Sequence, residues 1–131
     1  MNNFQIHAQL IQDCHVLGKM KSSHLLLNKN AVLPWFILVP ETDQQDLLDL
    51  EEALRTQVIQ DAATISQFVK QHFNLQKINF AAIGNLVPQL HIHVVGRYEG
   101  DACWPHPVWG NLKETQDWPE ATLTELKQAL F

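Results

Sequence analysis

Arginine is almost missing from this chain. Arg55 and Arg97 stand beside seven lysines, and the net charge is −5 with histidine neutral. A groove lined with phosphate-neutralising cations is therefore not expected, and neither is a nucleic-acid polymer as partner. Long apolar runs are missing too. None reaches the roughly 18 continuous residues of a membrane span, so no membrane partner is expected. The segment from Met1 to Gln12 has no basic stretch followed by an apolar one, so it does not read as a secretory leader. Cysteine is scarce: Cys14 and Cys103 stand alone, with no Cys-x-x-Cys spacing. A reduced pair in a cytoplasmic protein is the expectation. Internal repeats and low-complexity segments are absent.

What is present suffices for a core. The 131 residues are 46% hydrophobic and 18% charged, which excludes a disordered chain. A chain of this size buries about two-thirds of its surface on folding, and residues 1–131 are expected to form one domain. Histidine is abundant, seven against nine Lys plus Arg. It is the side chain that titrates, ligates metals and acts as a nucleophile near neutral pH.

Hydrophobic spacing outlines the elements. Phe4 to Cys14 reads as a short first helix, His15–Leu17 as a brief strand ending at Gly18, and Ser23–Asn28 as a second strand. Trp35–Val39, between Pro34 and Pro40, is a compact apolar strand. Leu47, Leu50, Leu54, Val58, Ala62, Ile65, Val69 and Phe73 recur at spacings of three and four. They predict a helix over about 46–73, in one piece or two, capped by Thr42 or Asp43 and ended by Asn74. Ile78–Ile83 and Leu90–Val95 read as neighbouring antiparallel strands. Trp104–Gly110, with two prolines in seven residues, is irregular, and Leu123–Phe131 is a final short helix. Strands, a long helix and further strands predict an α+β fold with helices on one face of the sheet.

The chemistry concentrates on His91 and His93. Two apart on a strand, they share a face with Gln89, while Leu90, Ile92 and Val94 face the other way. Three readings fit that spacing. The pair can be half-buried structural histidines held by local carbonyls. It can be half of a metal site, although no spacing names a third ligand. It can also be catalytic, one imidazole attacking while its neighbour sets charge and tautomer.

The run Gln89-Leu90-His91-Ile92-His93-Val94-Val95 resembles the signature of the histidine triad (HIT) superfamily, His-φ-His-φ-His-φ-φ with φ apolar. The longer stretch Asn85–Arg97, the block Gly100–Gly110 and the Asn28–Pro40 segment are similar to a bacterial branch of that family, so the resemblance covers about residues 4 to 110. It implies a HIT-like α+β fold: an antiparallel sheet of about five strands, one long helix and short terminal helices, assembled as a homodimer. It also implies a nucleotide hydrolase or nucleotidyl transferase without a cofactor or metal. The nucleotide or nucleotide conjugate is attacked at its α-phosphate by His91, giving a nucleotidyl-histidine. His93 takes the third position, against phosphate oxygen. Asn28 matches a ribose-contacting position, and the amides of Asn85 and Gln89 are candidate donors to phosphate.

Departures from the pattern shape the expectation. Gln89 stands at the first histidine position and cannot serve as an acid near neutral pH. Protonation of the leaving group then falls to another residue or to substrate, and altered substrate choice or weak activity is expected. The Trp35-Phe36-Ile37 region carries no histidine where many relatives have a fourth. Arg97 is read as a surface residue or a bidentate phosphate ligand. Leu26 and Ile37 are read as base-pocket walls or core, and Trp104 and Trp109 as packing residues with a lesser chance of touching substrate. His7, His15, His24, His72 and His106 fall into no pattern. The alternatives are a nucleotide-binding protein with little or no catalysis and a His-x-His metal-binding protein.

Overall fold

The computed structural model describes residues 3–131. Five strands form one antiparallel sheet: β1 (Cys14–Lys19), β2 (Ser23–Asn28), β3 (Trp35–Pro40), β4 (Lys77–Ala81) and β5 (Ile92–Arg97). Their order is β1-β2-β3-β5-β4, so β5 is flanked on both sides and β1 and β4 are the edges. Three helices accompany the sheet: α1 (Ala8–Asp13), α2 (Glu52–His72) and α3 (Glu120–Leu130). This is the expected α+β architecture. Among the described residues no helix is long and apolar enough to cross a membrane.

Alternation along the strands sorts the side chains into two layers. Leu25, Leu27, Phe36, Leu38, Ile92 and Val94 share a core cluster with Val58, Ala62, Ile65 and Val69 of α2 and Leu123 and Leu126 of α3. The opposite face is also covered. Leu26, Ile37 and Val39 pack with Leu10 and Cys14, and Val95 packs with Leu33, Cys103 and Val108. The helices are thus not confined to one face: α2 and α3 lie on one, and α1 contributes Leu10 to the other.

The long helix begins later than its spacing suggests. Leu47–Asp49 form a 3-10 turn, Leu50 is extended, and α2 starts after Glu51, which makes no side-chain cap. The Thr42 hydroxyl instead accepts the Gln44 N–H at 3.1 Å, so neither proposed residue caps α2. The C-terminal end agrees with expectation. Asn74 is left-handed (φ 54°), and the Leu75 N–H bonds the Lys70 carbonyl at 3.0 Å, a Schellman closure that satisfies an orphan carbonyl.

The first helix is shorter than predicted because residues before Ala8 are held otherwise. The Gln89 amide bonds the Gln5 carbonyl and the His7 N–H, and the His7 ring caps α1 by accepting the Gln9 N–H. β1 continues past Leu17 through an irregularity between Val16 and Gly18. A Cβ on Gly18 would meet the Phe131 ring at 2.6 Å, so the missing side chain leaves room for the C-terminal aromatic.

Candidate active site

β5 carries the chemistry because it is an interior strand with one face toward α2 and the other toward a cleft. His93 pairs with Ile37 on β3 and Ala81 on β4, and His91 precedes the first residue of the strand. Both rings border a cleft of about 790 Å³ that also reaches Asn28, Trp35, Asn85 and Trp109. They are 7% and 6% exposed, with centroids 5.0 Å apart and planes at 72°.

Hydrogen bonds fix both tautomers. His91 Nδ1 lies 2.8 Å from the Gln89 carbonyl oxygen. A carbonyl only accepts, so Nδ1 carries the proton and Nε2 keeps the lone pair. His93 is the reverse. Trp35 Nε1 lies 2.9 Å from His93 Nδ1, and an indole only donates. The neutral His93 ring therefore holds its proton on Nε2. Burial, reinforced by the charge His91 can carry, pushes the His93 pKa down to about 4, so the ring is neutral at physiological pH. Trp109 stands edge-on to both His93 (5.0 Å) and Trp35 (5.7 Å), limiting movement of either ring.

The sequence-derived candidates divide. His91, His93, Asn28 and Asn85 come together around the cleft. Asn28 Oδ1 accepts the Asn30 N–H at 2.9 Å, so the turn reading holds as well, while the Asn28 NH₂ is left as a donor. Gln89 does not offer its amide to the cleft. Oε1 accepts from the His7 N–H at 2.8 Å and Nε2 donates to the Gln5 carbonyl at 2.9 Å, so its contribution to His91 is its main-chain oxygen.

Arg97 is neither a surface residue nor a phosphate ligand. It is 1% exposed and forks onto Asp101 at 2.8 and 3.0 Å, with a further bond to Asn79 at 2.8 Å. Burial works to raise the Asp101 pKa, but Arg97 and the N–H groups of Tyr98 and Cys103 outweigh it and hold the carboxyl below its usual range. The pair ties β5 to the turn that follows. Trp104 lies under the Arg97 guanidinium at 5.5 Å, which leaves Trp109 as the tryptophan of that block that reaches the cleft. Ile37 lines the cleft, whereas Leu26 is fully buried core.

Trp35 and His7 are site residues that sequence reasoning missed. The signal for Trp35 lies in the β3–β5 register, which pairs Ile37 with His93. Trp35, two residues from Ile37, then falls on the His93 face, diagonal to it. Nothing in the sequence marks His7. Among the described residues no three His, Cys, Asp or Glu side chains converge as a metal-ligand set, and Nδ1 of His91 and of His93 is already occupied.

The chain is similar to known proteins over most of its length. Residues 9–100 match the family model of the HIT domain. The bis(5'-adenosyl)-triphosphatase of Dictyostelium discoideum is 32% identical over 98 residues, which cover 70% of this chain and just under two thirds (66%) of that protein. Two crystal structures are close over nearly the whole chain. A histidine triad protein from Bradyrhizobium japonicum is 35% identical with a TM-score of 0.88, covering 96% of this chain and 94% of its own. A histidine triad protein from Marinobacter aquaeolei VT8 is 34% identical with a TM-score of 0.89, covering 97% and 93%.

Proposed function

Because this chain belongs to the HIT domain family, we propose that it is a nucleotide hydrolase or nucleotidyl transferase acting at the α-phosphate of a nucleoside phosphate derivative. The observation that carries the reading is the opposed tautomers. His91 has its lone pair on Nε2, and His93 beside it has its proton on Nε2.

In the first step His91 Nε2 attacks the α-phosphorus, the bond to the leaving oxygen breaks, and a nucleotidyl-imidazolium forms. The Gln89 carbonyl stabilises the positive ring through Nδ1–H, and His93 Nε2–H is a donor for charge developing on the equatorial oxygens. In the second step water attacks the same phosphorus. The P–N bond returns its electrons to His91 Nε2, the attacking water gives up a proton to solvent, and nucleoside monophosphate leaves. Gln89 cannot donate an acidic proton, so a weakly basic leaving group such as a phosphate chain suits the site better than a strongly basic alkoxide.

Hydrolysis in oxygen-18 water tests the site of attack. The label is expected in the nucleoside monophosphate. Label appearing only in the leaving phosphate would mean attack elsewhere and overturn the reading. Assembly as a homodimer through β4 belongs to the same proposal. Among the described residues β4 is an edge of the sheet, and Phe80 on it and Leu86 beyond it are 47% and 97% exposed, an apolar surface of the kind that pairs.

A further inference from the structure

We propose that His7 is a substrate-binding residue, a neutral imidazole that donates a hydrogen bond from Nε2 to an acceptor on the bound nucleotide conjugate, and that Gln89 is its positioning residue. This rests on the reading of the cleft as a nucleotide site.

Three observations carry it. His7 borders the same cleft as His91 and His93. Its tautomer is fixed: the Gln9 N–H bonds His7 Nδ1 at 3.0 Å, so Nδ1 is the acceptor and the proton sits on Nε2. Its main chain is tied to the nucleophile through one residue. The Gln89 side chain accepts the His7 N–H at 2.8 Å and donates to the Gln5 carbonyl at 2.9 Å, while the Gln89 carbonyl holds His91 Nδ1 at 2.8 Å.

That juxtaposition gives a glutamine at position 89 a purpose. A primary amide offers an acceptor and a donor side by side, matching an N–H and a carbonyl two residues apart on the segment before α1. An imidazole separates its two nitrogens across the ring and points them in different directions. The first triad position has thus exchanged a histidine for a clamp, and the clamp brings another histidine, His7, to the cleft.

His7→Asn is the informative variant, because Asn is a good helix N-cap but is too short to present a donor where Nε2 stands. Its melting temperature is expected to stay within a few degrees of the parent. Its kcat/KM on adenylate conjugates is expected to fall about tenfold, the size of one neutral hydrogen bond. Gln89→Ala should cause a similar fall, and the double variant should be no worse than either single one, because both remove the same contact.

A series of conjugates differing in leaving group locates the acceptor. An equal loss across the series assigns it to the nucleoside part, and a loss that grows with leaving-group basicity assigns it to the leaving oxygen. Unchanged kcat/KM for every conjugate in His7→Asn, or fully additive losses in the double variant, would overturn the proposal. Neither result touches the assignment of His91, which is read separately by adduct formation in the same variants.

Discussion

His91→Ala is expected to lose at least about 10³-fold in kcat/KM on any conjugate the parent hydrolyses, as removal of a covalent nucleophile does. Nucleoside monophosphate binding should remain, because the other groups proposed to meet it (Asn28, Asn85 and His93) still line the cleft. The fold should survive as well. His91 stands ahead of the β5 ladder, whose first pair is Ile92 with Leu38, and its ring borders the cleft rather than belonging to any of the core clusters. Steady-state kinetics with calorimetry on the same sample separates the two effects. Turnover within tenfold of the parent would show that His91 is not the nucleophile.

Trp35→Phe is expected to lower kcat by about 10- to 100-fold, somewhat less than the roughly 10²–10³ lost with an oxyanion donor itself. Phenylalanine keeps an aromatic ring against Trp109 but removes the indole N–H. His93 Nδ1 then has no fixed donor, and the ring can place its proton on either nitrogen, so the Nε2–H facing the reaction is no longer guaranteed. Loss of that bond also removes support for the neutral form.

The pH dependence follows with a definite sign. In the parent the His93 pKa is lowered from 6.5 to about 4, so between those values the unfolded chain binds more protons than the folded one. Its contribution to stability is full above about 6.5 and is lost as pH falls through about 4. In Trp35→Phe the His93 titration should move toward higher pH, read from the NMR titration of its ring in the two proteins. A His93 titration at the parent position with unchanged kcat would contradict the role given to Trp35.

Much of this is legible in the sequence alone, and the rest is not, for reasons particular residues make plain. The alternation Leu90, Ile92, Val94 against His91, His93, Val95 identified both the buried face of β5 and the reactive one, because burial of one face leaves a period of two. It did not locate the start of the strand. Leu90 and His91 alternate as strand residues do, yet pairing begins at Ile92, where β3 supplies a partner.

The α2 stripe ran too far upstream for a related reason. Leu47 packs against the core cluster and Leu50 is 3% exposed within it, so their spacing records burial and is indifferent to the 3-10 turn between them. Arg97 and Asp101 are four apart outside a helix, a separation that carries no signal until the turn after β5 folds them together. Two long-range contacts of the site carry no signal in the sequence. Trp35 meets His93 across 58 residues and His7 meets Gln89 across 82. From the sequence, Gln89 is a triad position without an acid; in the fold its side chain binds the N-terminal segment at Gln5 and His7.

The central claim is a covalent bond between His91 and the nucleotide. It is tested most directly by mixing the parent protein with a nucleotide conjugate, quenching rapidly under conditions that preserve a P–N bond, and mapping the protein by mass spectrometry. One nucleotidyl group on the peptide containing His91, localised by fragmentation to that residue and absent from His91→Ala, is the predicted result. Turnover without any adduct at early times, or an adduct on another residue that persists in His91→Ala, would contradict it.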